Sequence, residues 1–417
     1  MKIRILAGAV ALVSSVTLSG CGLLPGEGPD TSTVTVWLMK GSASQGFLDR
    51  FKESYEAENP SVELEFTIQE WGGIGPKVMK AIEGDDAPDV IEVGNTQVAQ
   101  YAESGELRDL TLESMRDLGG EDWLPGLAEP GKVNGGQYGI PWYAANRVVI
   151  YNKDLFAEAG ITELPKTRAE WVDVTERLNA DGRQGIYLAG QNWYVLSGFI
   201  WDEGGELADD GGGDWEGALH SPAALRGMDY YKTLQALGGG PKDADEQSPP
   251  ETDVFAEGGV AQIISVPGSA ALIEQQNPEL KGKLGYFPIP GKTANKPGSV
   301  FTGGSDLIVP EGADQRGEGI EVVKALAGEK WQTELARAMS YVPNKPALAG
   351  VVEGQEGTSA MAVGATEGRA TPNSPFWPTV EADNPIKPYM TAVLEGGDPA
   401  EEAKKASDRI TSKLAIG

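Results

Sequence analysis

Side chains able to do covalent or metal chemistry are scarce in this chain. His220 is its single histidine and Cys21 its single cysteine. One of each excludes a thiolate zinc centre and a multi-histidine metal site. A Ser-His-Asp triad would have to use His220, which lies in Gly217-Ala218-Leu219-His220-Ser221-Pro222. The Ser-Pro pair there reads as a helix start, with Ser221 as N-cap and Pro222 in the first turn. No G-x-S-x-G elbow, Walker loop or G-x-G-x-x-G loop occurs. Asp209, Asp210, Asp214 and Glu216 cluster between Leu207 and Gly217, but their spacing does not match a calcium loop and reads as a solvated turn. The conspicuous chemistry is non-covalent. Ten tryptophans and twelve tyrosines are present, many beside glycine, proline or polar residues, as at Trp71, Trp142, Trp193, Trp201 and Trp377. Such rings pack well against the C–H faces of sugar rings. The planar polar side chains of Asn95, Gln97, Asn146 and Arg147 could add hydrogen bonds to hydroxyls and amides.

The N-terminus sets the compartment. Lys2 and Arg4 precede an apolar run, Ile5–Leu18, too short for a comfortable span, and Leu18-Ser19-Gly20-Cys21 closes it. This is the layout of a secretory signal, and Leu-Ser-Gly-Cys resembles a bacterial lipobox, in which the cysteine is diacylated and becomes the mature N-terminus. Residues 1–20 are thus expected to be a lipoprotein signal peptide. Residues 21–32 follow as a lipidated Cys21 and a Gly- and Pro-rich flexible tether. No later apolar run reaches the ~20 residues a bilayer requires. The body is expected to be extracytoplasmic, anchored by lipid to the outer face of the cell membrane. With 34 basic against 62 acidic residues the net charge is −28. That balance excludes nucleic-acid binding by phosphate neutralisation. About 385 residues remain for two domains or one bilobed body.

The elements that must position these side chains follow from periodicity. Residues 33–38 and 62–68 alternate as strands, and 88–93 is a short apolar strand. Between and after them, 44–58, 75–83 and 96–104 have helical spacing. The β-α-β-α-β order argues for an open α/β sheet, whose ligands bind beyond the carboxyl ends of the strands. Those ends are 39–42, 69–73 and 94–97. Further on, 148–151 reads as a strand, and 152–159, 167–179, 223–237, 320–327 and 330–340 read as helices. Residues 207–217 read as a loop.

In this order the motifs resemble those of extracellular solute-binding proteins of the maltose-binding type, which feed ABC importers. The stretch Gly139-Ile140-Pro141, then Val149 through Gly160 (VIYNKDLFAEAG), is similar to that family's central signature. Ala87-Pro88-Asp89-Val90, Pro165-Lys166-Thr167 before the Trp171 helix, and Gly303-Gly304-Ser305 support it. A narrower likeness is to actinobacterial binders of diacetylchitobiose and chito-oligosaccharides. It rests on residues 68–75 (IQEWGGIG), 92–97 (EVGNTQ), 142–147 (WYAANR) and 190–194 (GQNWY). One departure stands out: Ser265–Ala270 lacks the tryptophan that the family often has there, which leaves room for a substituent such as an acetamido group.

The resemblance implies a two-lobed α/β periplasmic-binding-protein fold with a hinge and an inter-lobe ligand cleft. The first lobe is expected at 32–143 plus 303–341, and the second at 144–302 plus 342–417. It implies a monomer that captures an oligosaccharide without catalysis, cofactor or metal and delivers it to ABC permease subunits with a separate ATPase. Asn95, Gln97, Asn146 and Arg147 are expected at the cleft from strand ends, with Trp71 flanking from the second strand. Asn192, Trp193 and Tyr194 align with family sugar contacts, and Trp377 with a late aromatic platform. Gly304, Ser305 and Asp306 would offer backbone N–H groups and a carboxylate. Packing roles stand beside these: Arg147 paired with an acid across the lobe interface, Trp142 beneath the hinge, Asp306 capping a turn. The alternatives are a binder of another oligosaccharide, of maltose or trehalose type, and a secreted glycoside hydrolase, which needs two carboxylates ~5–10 Å apart across one bond.

Overall fold

The computed structural model describes residues 31–84, 86–179, 182–212 and 214–415. The expected signal peptide, Cys21 and nearly all of the expected tether lie outside the described residues. Three strands open the fold: β1 (Ser32–Met39), β2 (Val62–Gln69) and β3 (Val90–Gly94). β1 pairs in parallel with β2 on one side and with β3 on the other. The crossover helices are Gln45–Glu58 and Ile74–Ile82. Ser44 starts the first by accepting a hydrogen bond from the Phe47 amide, as an N-cap hydroxyl does.

The chain changes sheets within one residue. After a small hairpin, β4 (Lys132–Val133) and β5 (Gly136–Gln137), come β6 (Ile140–Asn146) and β7 (Val148–Asn152), with only Arg147 between them. A second hairpin pairs β8 (Ala208–Asp210) with β9 (Trp215–Gly217), where a loop was expected. Gly217 explains the difference: its amide bonds Thr411 and its missing side chain lets the helix Pro399–Leu414 approach at Ser407. The acids Asp209, Asp210, Asp214 and Glu216 there are exposed. β10 (Gln262–Ser265) and β11 (Leu284–Phe287) flank β7, both antiparallel, as a three-stranded second sheet. β12 (Val300–Ile308) then returns to the first sheet. It runs antiparallel to β6 and β3, and its first two residues pair with β13 (Gly368–Arg369).

Both sheets are covered by apolar side chains on two faces. Val34, Val36 and Leu38 of β1 pack with Phe47, Phe51 and Trp331, while Met39 packs with Ile74, Val78 and Val93 on the other side. In the second sheet Val149 meets Trp171, Phe199 and Phe287, and Val148 and Ile150 meet Phe255, Ile273 and Met361. Trp171 buries its ring without stranding its N–H, which donates to Gln262 at 2.9 Å. The result is two α/β lobes, each with its own sheet and core. Three segments pass side by side between them: Ala144 pairs with Gly304 in the β6–β12 ladder and bridges to Val342.

Candidate ligand-binding cleft

A cavity of about 850 Å³ opens where these segments pass. That is within the range of about 300–1,000 Å³ for small-ligand sites. Loops at the carboxyl ends of the first sheet supply Trp71, Gly94, Asn95 and Thr96. β6 and the segment after it supply Tyr143, Ala145 and Arg147. The opposite side supplies Tyr194, Glu246, Gln247 and the turn Val266–Gly268. Phe301, Gly303 and Gly304 come from β12, and Met339–Tyr341, Met361 and Glu381 complete the lining.

Aromatic rings stand on both sides. Trp71 is 41% exposed, an unusual state for a tryptophan and one that leaves a face free. Tyr143 and Tyr341 stack with centroids 4.2 Å apart and planes within 10°. Tyr194 and Phe301 form a tilted pair at 4.9 Å. The Arg147 guanidinium lies 4.3 Å over the Tyr194 ring and pairs with Glu246 at 3.0 Å. Arg147 thus meets an acid, Glu246, that lines the same cavity.

Tyr143 is held from below by Glu92, which is fully buried on β3. Glu92 accepts from the Met39 amide, from Ser42 and from Ser305, each at 2.6 Å, and from the Tyr143 hydroxyl at 3.3 Å. Burial pushes its carboxyl up to about 7 against the pull of these four donors. One side chain therefore ties together the end of β1, β6 and β12. Glu381, on the helix Trp377–Asp383, lines the cavity and accepts from the Trp377 indole at 2.8 Å. Burial raises it to about 7 as well, opposed by that one bond. Glu251, behind Glu246, is also raised to about 7, by burial first.

Of the residues expected at the site, Trp71, Asn95, Arg147, Tyr194 and Gly304 line the cavity. Asn95 does so with its amide nitrogen already committed to Gly126 O and Thr302 O. The others are not among the residues that line it. Asn192 is buried as the N-cap of the helix Trp193–Asp202, accepting from the Val195 amide, so its carbonyl is spent on the helix. Trp193 is buried beneath Tyr194, with ring centroids 4.3 Å apart. Trp377 is fully buried, so it cannot stack on a ligand in this conformation. Ser305 is spent on Glu92 and Tyr143. Asp306 points to the other face of β12, close to Gly131 and Gly139, and does not cap a turn. Among the described residues neither carboxyl oxygen has a partner, and burial holds it well above the usual range. Asn146 is buried against Gly364, and Gln97 accepts a long bond from Tyr101. Sequence reasoning missed Glu246, Phe301, Tyr341 and Glu381. Tyr341 had a usable signal, an aromatic residue beside an expected crossing, and Glu381 follows Trp377 by one helical turn.

Comparison with known proteins agrees with this architecture. The profile of the bacterial extracellular solute-binding proteins matches residues 38–333. The chain is 38% identical to the "Diacetylchitobiose binding protein DasA" of Streptomyces coelicolor, over 100% of this chain and 99% of that one. It is 23% identical to a "Maltooligosaccharide ABC transporter solute-binding lipoprotein" of Streptococcus pneumoniae, over 87% of this chain and 85% of the relative. Its fold is similar to that of the sugar-binding protein MalE from Xanthomonas citri, with a TM-score of 0.82 and 21% identity over 92% and 98% of the two chains.

Proposed function

Since the chain belongs to the bacterial extracellular solute-binding protein family, we propose that it captures N,N′-diacetylchitobiose or a related chito-oligosaccharide for an ABC importer. The observation that carries this reading is the cleft's wall chemistry. The exposed ring of Trp71, the Tyr143–Tyr341 stack and the half-buried Tyr194–Phe301 pair line it with aromatic surface from both sides. Polar groups are interleaved with them, as a sugar's alternating C–H faces and hydroxyls demand. The identity to the diacetylchitobiose binder supports the choice of sugar. So does the turn Val266–Gly268, which lines the cleft without a tryptophan and leaves room for an acetamido group.

The lobes at 32–143 plus 303–341 and at 144–302 plus 342–417 close about the three crossings. Sugar shifts the population by binding the closed form more tightly. The protein acts as a monomer and carries out no reaction. Cys21 holds it by lipid to the outer face of the cell membrane, and a permease with its own ATPase takes up the sugar.

Intrinsic tryptophan fluorescence titrated with diacetylchitobiose, N-acetylglucosamine, maltose and trehalose tests the reading. A saturable change with diacetylchitobiose at micromolar or lower concentration is the expected result. A response to maltose or trehalose alone would replace the sugar, and shorter products from a chito-oligosaccharide would point to hydrolysis instead.

A further inference from the structure

The geometry points to Glu381 as the residue that selects the charge class of the ligand. Its carboxylate accepts a hydrogen bond from a hydroxyl or amide N–H of an uncharged saccharide and repels one bearing a carboxylate, sulfate or phosphate there, and Trp377 positions it. This rests on the saccharide reading above.

The charges lining the cavity are unequal in their compensation. Arg147 and Glu246 neutralise each other at 3.0 Å, with Arg147 further spread over Tyr194. Glu381 faces the same space, and its one hydrogen bond among the described residues comes from the Trp377 indole at 2.8 Å. An indole N–H carries no charge and fills one acceptor position of a group that has about four. A mostly buried acid in that state needs another donor, and the open side of the cavity is where one can come from. Neighbouring cations are engaged elsewhere: Lys387 pairs with Asp245, and Arg409 and Lys413 both pair with Asp383. Trp377 is fully buried in the core, so the direction of its N–H is fixed by packing, and that fixes Glu381 one turn on. The helix carrying both packs on Pro399–Leu414 and touches the turn Asn95–Gln97. Glu381 therefore lines the cavity from a helix that also reaches the turn carrying Asn95 on the facing wall.

The test is calorimetric titration at pH 8, above the value of about 7 to which burial raises Glu381, of the wild-type protein and of the Glu381→Gln, Trp377→Phe and double variants. The probes are diacetylchitobiose, cellobiose, maltose and digalacturonate. Glutamine keeps the acceptor for Trp377 and turns the other oxygen into a donor, so the fold is retained, as the unfolding midpoint will verify. Glu381→Gln is expected to weaken the tightest neutral sugar at least tenfold. Trp377→Phe is expected to weaken it in the same direction and to add nothing in the double variant. Wild type is expected not to bind digalacturonate. A loss below tenfold in Glu381→Gln, or digalacturonate binding as tight as the neutral sugars, would overturn the assignment while sugar capture stood. Wild type binding none of the neutral sugars would overturn both readings.

Discussion

Asp306 shows at the residue scale what burial does to an acid that meets no donor. It is fully buried, has no hydrogen-bond partner among the described residues, and desolvation raises its carboxyl well above the usual range. A carboxyl raised in the fold binds its proton more tightly folded than unfolded. The stability tied to it is present in full below the unfolded value and falls as pH rises from there toward the folded one. Asp306→Asn keeps the shape and removes the titration. The variant is expected to be more stable than wild type at pH 8, by on the order of 1–3 kcal/mol. The gap should narrow toward pH 4, as urea unfolding at both pH values would measure. Equal stability at pH 8 would refute it. The same scale explains the limits of reading side chains from sequence. Trp193 and Trp377 carry the composition of sugar platforms, yet their helices turn the rings inward while Tyr194 and Glu381 take the cleft. Ring direction is set by tertiary packing, and a motif does not encode it. Asn192 follows a related rule: the residue type that suits a sugar hydroxyl also suits a helix N-cap, and here its carbonyl caps the helix Trp193–Asp202.

At the scale of elements, local chemistry was far more legible. Ser44, Asn152, Thr167 and Ser221 each cap the helix that begins after them, and Thr167 with Glu170 forms a capping box. These signals lie within four residues, so no distant partner is needed to read them. The β8–β9 hairpin was illegible because its three-residue strands rest on the C-terminal helix, nearly two hundred residues on. Gly304 has the reverse character, a local residue with a long-range reason. A Cβ there would lie 2.1 Å from the Tyr143 carbonyl oxygen, so only glycine lets β12 pair closely with β6. Gly304→Ala is expected to destabilise the protein by about 1–3 kcal/mol or more. It should also weaken sugar binding, because the clash falls between two of the crossings. Denaturant unfolding and a sugar titration of the variant would check both, and an unchanged unfolding midpoint would sink the argument.

For the whole molecule, the two-lobed plan was readable from the order of strands, helices and motifs, whereas the exact wall of the cleft was not, because it draws on segments from Trp71 to Glu381. Its acid balance has a measurable result. Glu92, Glu251 and Glu381 are each raised to about 7 by burial. Carboxylates lowered by surface pairs, such as Asp383 with Lys413 and Arg409, are ionised in both states above pH 5 and add no slope there. Stability is therefore expected to fall between pH 5 and pH 8, and self-repulsion at a net charge of −28 acts in the same sense. The unfolding midpoint should be lower at pH 8 by roughly 2 °C or more. A midpoint that rises over this interval would contradict the three assignments. The return of β12 also bears on how the chain acquires its shape in time. β3 waits from Gly94 until Ser305 for the neighbour on its second side. Until then an apolar strand keeps a row of unsatisfied amides and carbonyls open to other chains. Folding thus has a long-range bottleneck: fragments ending before Val300 are prone to associate, and refolding is slow for a chain of this size because distant pairing must precede closure of the sheet.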